Sequence, residues 1–259
     1  MIDKDKILNN LTTKVIGRDI ISFETIDSSN TYAKTLSDAD AKNGMIIIAE
    51  GQTCGRGRFN RKWESQKERN LTFSILLKPE SALNKIGLLP LLTASAVAKA
   101  IEAVTNLEVE CKWPNDILIN GKKTCGILIE STSTLKINRI IVGIGLNVNQ
   151  ELFPDGIRLT ATSLKNEFGK TIDRIILLAD ILNRFEDMYF RFTQNDTKEY
   201  LSDWISRCKM FGKEISVSYF EKQIHGKVLR IDSDGSLILK SEDNEIKLFS
   251  GDVTINKQL

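Results

Sequence analysis

The chain has 259 residues, 41% of them hydrophobic and 27% charged, with a formal net charge of +2. That balance excludes a disordered or fibrous polypeptide and leaves enough chain for one sizeable core plus a small satellite. Near-neutrality also excludes the broad cationic footprint of a nucleic-acid binder, so no DNA partner is expected. Cys54, Cys111, Cys125 and Cys208 have no paired spacing, neither a disulfide framework nor a CxxC metal site. The charged start MIDKDKILNN lacks the apolar stretch of a signal peptide. No apolar run reads as long enough to span a bilayer; the longest, Ile86 to Val104, is interrupted by Gly87, Pro90 and Lys99. A cytoplasmic protein without a membrane partner is expected. The single histidine, His225, reads as a solvated strand residue, which excludes histidine-rich zinc sites.

In chain order, residues 3 to 20 mix apolar and charged side chains and predict a short helix and a strand. Ser28 and Ser29 then precede NTYAKTLSDADA, a helix with a serine N-cap. MIIIAE (45–50) predicts a buried strand, GQTCGRGRFNRKW (51–63) a loop, and NLTFSILLK (70–78) a second strand. LNKIGLLPLLTASAVAKAIEAV (83–104) predicts a long buried helix. EVECKW (108–113) and DILING (116–121) read as short strands around a Trp-Pro-Asn turn. Asn120-Gly121 predicts a hairpin into TCGILIES (124–131), because both residues accept positive φ. RIIVGIGLNVN (139–149) follows as another strand. RIILLADILNRFEDMYFRF repeats apolar residues at three and four, an amphipathic helix, and TKEYLSDWISRCKMF continues the helical pattern. From about Gly212 the period becomes two, with turns at Asp234-Gly235 and Asp243-Asn244. Five short strands in under fifty residues predict a small barrel and a domain boundary near Met210.

Four segments carry chemistry. In GRGR (55–58) two arginines offer planar forks for carboxylate or phosphate oxygens, and two glycines let the backbone approach a ligand. A basic surface loop is the plain alternative. In KWPND, Lys112 and Asp116 flank a rigid Trp-Pro step, where a carboxylate suits a metal-bound nucleotide or an incoming amine. The plain alternative is a self-satisfied Asn115/Asp116 turn. In GKKTCGILIE (121–130), alternation sends Lys122 and Lys123 to opposite faces, so at most one enters a shared site. In GIGLNVN (143–149), Gly143 and Gly145 share a face and leave space for a flat ligand.

These segments, in this order, resemble the catalytic core of biotin–protein ligases. IDSSN (26–30) is similar to the family's DSTN-type segment with serine replacing threonine, and the likeness continues through GRGR-x(4)-W, KWPND, K-x-x-GIL-x-E and VGIGLNVN. The resemblance implies an α+β fold: a mixed β-sheet with helices, like class II aminoacyl-tRNA synthetases, over residues 1–210, then an SH3-like barrel over 211–259. It implies biotin contacts from Ser28, Ser29, Asn30, Gln52, Gly55, Arg56, Gly57, Arg58, Lys123 and Gly126. It places Arg58, Arg61, Trp63, Lys112, Asn115, Asp116 and Asn147 around ATP or the adenylate, Asn147 near ribose or adenine. Arg56, Lys123 and Asp116 would be catalytic, Asp116 either as base or as positioning group. The implied substrates are biotin and ATP with Mg²⁺, whose protein ligands the sequence does not name. The implied partner is a biotin carboxyl carrier protein or domain.

The biotin-contacting segment begins at residue 28, so an N-terminal DNA-binding domain and repressor activity are not expected. A homodimer is open, with RIIVGIGL as a strand edge for pairing. The rival readings are a lipoate–protein ligase and a non-catalytic binding module built on the small barrel.

Overall fold

The structure, a computed structural model, describes residues 2–79, 85–133, 137–219, 222–242 and 244–255. The first two positions of the helix expected from residue 83, and the Asp243 half of the last expected turn, lie outside the described residues. Seven strands form one mixed sheet: β1 (Ile20–Ile26), β2 (Met45–Gln52), β3 (Leu71–Leu77), β4 (Glu110–Lys112), β5 (Asp116–Ile119), β6 (Lys122–Ser133) and β7 (Ile137–Leu146). Their order is β1-β2-β3-β7-β6-β5-β4; β1 and β2 run parallel, and every other pair is antiparallel. The mixed sheet with helices expected from the sequence is therefore present. RIIVGIGL, expected as an exposed edge, is central instead: β7 is hydrogen-bonded to β3 on one side and β6 on the other. Its β-branched residues mark burial on both flanks, which an edge and a centre share in sequence.

Strand alternation sorts the two faces. Ile46, Ile48, Phe73, Ile75, Val142 and Ile144 point into the main core, where each is at most 2% exposed. The helices α3 (Leu89–Thr105) and α5 (Arg174–Thr193) belong to that same core, and burial of a Leu or Ile side chain contributes about 1.5–3 kcal/mol. Met45, Ile47, Leu76 and Ile141 point the other way and pack under Ala33 of α2 (Ser29–Thr35). Farther along the same face the side chains become small: Ser74 on β3, Gly143 and Gly145 on β7, Gly126 on β6. The sheet is thus floored with leucine and isoleucine at one end and left shallow at the other.

Local chemistry sets the element ends. Ser28 caps α2, its Oγ accepting from Thr31 N, as expected. The helix stops at Thr35, short of the expected end, because Ser37 Oγ accepts from Asp40 N (3.2 Å) and closes a local turn. The α-helix α3 starts at Leu89 because Pro90 is tolerated only in a first turn. By length and mean hydropathy (1.5) the helical stretch Ile86–Thr105 would pass as a membrane span, contrary to the expectation that no run is long enough. It is instead a core helix, with 67% of its most apolar 18 residues buried. Asn120 and Gly121 both have positive φ (51° and 73°), as the hairpin requires.

Five antiparallel strands follow: β8 (Glu214–Tyr219), β9 (Lys222–Ile231), β10 (Leu237–Ser241), β11 (Asn244–Leu248) and β12 (Asp252–Ile255), in the order β11-β10-β9-β8-β12. This second sheet shares the main core: Val217, Leu237 and Leu239 belong to the same cluster as Trp113. Trp113 Nε1 donates to Gly235 O (3.0 Å), and Gly87 lies directly against the backbone of Asp234 and Gly235. His225 is exposed on β9 beside Ser216.

Candidate active site

The shallow end of the large sheet is roofed by the segment 53–63 to give a cavity of about 300 Å³. GRGR folds back on itself: Gly57 N donates to Arg61 O (2.7 Å) and Trp63 N to Gly55 O (2.9 Å). The turn passes through Phe59 and Asn60, both with left-handed φ (53° and 57°). Arg58 Nη1 reaches Asn115 Oδ1 and Gly251 O, each at 3.1 Å, and Arg61 is ion-paired with Asp252. The roof is therefore tied to the KWPND turn and to the second sheet at once. Burial pulls the Arg58 pKa down against the opposing charges of Asp116 and Asp252.

Three stations lie at two-residue steps along β7 and just past its end, about 13 Å from first to last. At Gly143 a Cβ would strike the Asn30 amide, and at Gly145 it would strike the Trp63 indole. The space expected for a flat ligand beside these glycines is thus filled at Gly143 by Asn30 and at Gly145 by the chain's own flat side chain, Trp63; a glycine pattern marks a close approach without naming what approaches. The third station is Asn147, whose Nδ2 donates to Thr162 O (3.1 Å).

At the first station the polar groups are Ser28, Ser29, Asn30 and Gln52. Ser29 N donates to Gln52 Oε1 (2.7 Å), and Asn30 Nδ2 to Glu130 Oε2 (2.9 Å). Toward the third, Lys123 Nζ is 2.6 Å from Asp116 Oδ1 and 5.7 Å from the Trp63 ring centre. The backbone of Lys123 is clasped from outside, its N–H donating to Thr160 O and its C=O accepting from Thr162 N. Lys122 faces solvent, as alternation predicts. Trp63 Nε1 and Asn147 Oδ1 are buried without a partner. An orphaned donor and an orphaned acceptor on one cavity indicate groups that a ligand completes.

Of the residues expected at the site, all line this cavity except Gly55 and Lys112. Gly55 belongs to the roof itself, packed so closely that a Cβ would meet Trp63 O, and Lys112 on β4 stands outside the cavity. Among the residues of the cavity wall that sequence reasoning missed are Ile157, Thr160, Ala161 and Asp252. Nothing local in IRLTA or GDVTI distinguishes them; folding alone brings them in. Burial pushes the Cys111 and Cys125 thiols far up, so neither is a nucleophile. Among the described residues no group of three His, Cys, Asp or Glu side chains is placed to hold a metal. The carboxylates of Asp116 and Asp252 are each engaged by a cation. The donor set among the described residues does not fit a resident Mg²⁺.

Residues 22–147 match the biotin/lipoate A/B protein ligase family. The bifunctional ligase/repressor BirA of Bacillus spizizenii is 36% identical over 257 residues, covering 98% of this chain and 79% of that protein. The biotin–[acetyl-CoA-carboxylase] ligase of Mycobacterium tuberculosis is 28% identical, covering 98% of both chains. A biotin protein ligase from Aquifex aeolicus, solved with biotin and ATP, superposes with a TM-score of 0.80 at 32% identity, over 93% of this chain and 100% of that one. The chain belongs to the biotin protein ligases of this family.

Proposed function

We infer that this chain joins biotin to AMP and then passes the biotinyl group to a lysine of a carrier protein. The observation that carries the reading is the polarity of one cavity: neutral hydrogen-bonding groups at the Gly143 end, and a held ammonium, Lys123, with an unpaired acceptor, Asn147 Oδ1, at the other. Ser28, Ser29, Asn30 and Gln52 suit the ureido ring, which presents both donors and an acceptor. Asn147 and Trp63 suit the adenylate, and the biotin carboxylate meets the α-phosphate between the two ends.

A free carboxylate is a poor acyl donor. Attack of the biotin carboxylate oxygen on the α-phosphorus of ATP expels pyrophosphate and leaves a mixed anhydride, from which AMP departs readily. The step brings two anions together, and Lys123, Arg56 and Arg58 offset that repulsion. Attack by a neutral lysine amine on the acyl carbon then forms the amide and releases AMP, the amine proton leaving to the departing phosphate or to water. Lys123 holds Asp116 at 2.6 Å, which favours a positioning role for Asp116 over that of a base. No enzyme nucleophile is needed.

The supporting proposals are a division into 1–210 and 211–259, the latter an SH3-like barrel, and a biotin carboxyl carrier domain of a carboxylase as acceptor. A cytoplasmic ligase that acts on neither DNA nor membrane is proposed as well, the near-neutral charge bearing on DNA alone. A homodimer is retained, but not through β7; sedimentation velocity decides it. The test of the main reading is exchange of labelled pyrophosphate into ATP. It should require biotin and fall sharply in Arg56→Ala and Lys123→Ala. Exchange with lipoate in place of biotin would move the substrate assignment, and none with either would sink the ligase reading.

A further inference from the structure

Glu130 has no role in the chemistry above and does not line the cavity, yet it lies directly behind two residues that do, Asn30 and Arg56. It follows Gly126 and Leu128 on the site face of β6. Its carboxylate receives Lys34 Nζ (2.6 Å), Asn30 Nδ2 (2.9 Å) and Arg56 Nη2 (3.3 Å). Burial works to raise its pKa, but the hydrogen bonds from Lys34 and Asn30 and the charges of Lys34 and Arg56 hold it below the ordinary glutamate value. Glu130 is therefore an anion that only accepts.

That direction propagates. Asn30 Nδ2 is committed to Glu130 and, at 3.4 Å, to Leu128 O, which turns Oδ1 toward Ser74 Oγ (2.5 Å). Ser74 is fully buried and has a single hydroxyl proton. Its Oγ is also 2.7 Å from Ser29 Oγ. Asn30 Oδ1 has no proton to give, so the Ser74 proton goes there. The Ser74–Ser29 contact is then closed by the proton of Ser29, which leaves only lone pairs of Ser29 Oγ for the cavity.

We propose that Glu130 is a positioning residue that, through Asn30 and Ser74, makes Ser29 Oγ an obligate acceptor and so selects a ligand ring that offers an N–H at that point. The proposal rests on the reading that the cavity takes biotin, and it deepens it: the ring must present an N–H to Ser29, as a cyclic urea does, and a cyclic carbamate with oxygen facing Ser29 is refused. Ring oxygen there would set two acceptors against each other.

The experiment is calorimetric binding of biotin and of the two analogues in which ring oxygen replaces one or the other ureido N–H, using the full chain. Wild type should prefer biotin over one of these analogues by about tenfold to a hundredfold, the cost of an unmet buried polar group. Glu130→Met removes the stronger anchor of the Asn30 amide and leaves only the 3.4 Å contact with Leu128 O, so the amide can turn; Ser74 then accepts from Nδ2 and donates to Ser29, which donates to ring oxygen. The preference should fall to about threefold or less. Glu130→Gln keeps an oxygen for Asn30 and should keep the preference. Ser74→Ala cuts the relay with Glu130 in place and should lower it, which carries the test if Glu130→Met does not fold. Equal weakening of all three ligands in Glu130→Met and Ser74→Ala, with the preference intact, would overturn the proposal, as would a wild type without preference. A wild type that binds no biotin would overturn the ligase reading itself.

Discussion

Lys123 and Asp116 sit on adjacent strands, β6 and β5, with Nζ 2.6 Å from Oδ1, and the pair faces the cavity beneath the Trp63 indole. One long, flexible cation is thereby held at the point where the proposed reaction would join carboxylate and phosphate. If Asp116 acts by holding Lys123, the two residues form a unit. Pyrophosphate exchange at saturating biotin should fall in Lys123→Ala and in Asp116→Ala, and the double variant should be little worse than Lys123→Ala. The expected coupling is about 1–3 kcal/mol. Additive losses would separate the two roles.

Gly145 admits no side chain while Trp63 lies on it. Gly145→Ala should push the indole off the sheet. Trp113 and Trp204 are 1% exposed, so a change in tryptophan emission on substitution or on ligand binding reports Trp63. The emission should shift to the red and the exchange rate should fall about tenfold or more, the loss associated with about 1.4 kcal/mol of lost transition-state stabilisation. Unchanged emission would mean that the roof tolerates a methyl group.

The roof is tied to the second sheet through Arg61–Asp252 and Arg58–Gly251 O. It also carries four trypsin targets, Arg56, Arg58, Arg61 and Lys62. Asp252→Ala should speed tryptic cleavage within residues 56–62 without speeding cleavage of the core. Mass spectrometry of timed digests reads this out, and equal rates in the two proteins would deny the tether.

Asp234 provides a pH test. Burial works to raise its carboxyl, but hydrogen bonds from Lys247 and from Ser236, side chain and backbone, outweigh it and bring the pKa to about 2. A carboxyl lowered on folding stabilises the fold above its unfolded pKa, and the contribution fades as pH falls through the folded value. The stability difference between wild type and Asp234→Asn, measured by urea unfolding, should be constant at neutral pH. It should shrink between about pH 4 and pH 2. A difference that persists at pH 2 would assign the effect to the turn rather than to charge.

Much of this architecture is legible from periodicity. The β-branched runs at 45–50 and 139–146, the Asn120-Gly121 turn and the three-four repeat after Asp173 each fix an element, because local spacing and final burial agree. GRGR and KWPND are legible as chemistry because arginine forks and a Trp-Pro turn have few other uses together. Edge and centre are not legible: nothing within RIIVGIGL says that β3 and β6 flank it. Nor is the occupant of a glycine-lined face, since Trp63 arrives from a distant loop. Asp252 is hidden for the same reason, being a surface-like residue in a polar strand until the second sheet turns it inward.

Trp113 shows what the small sheet is for. Its indole is buried with Val217 and Leu237 of that sheet in one cluster and donates to Gly235 O, and two residues on, Asn115 receives Arg58. A chain cut after Met210 would leave a large aromatic surface wet at the root of the very turn that anchors the roof. Removing the last fifth of the protein would thus not uncover a leaner enzyme. It would leave the reaction chamber with one wall missing and its ceiling unhung, and loss of activity on truncation would say nothing by itself about where the substrates sit.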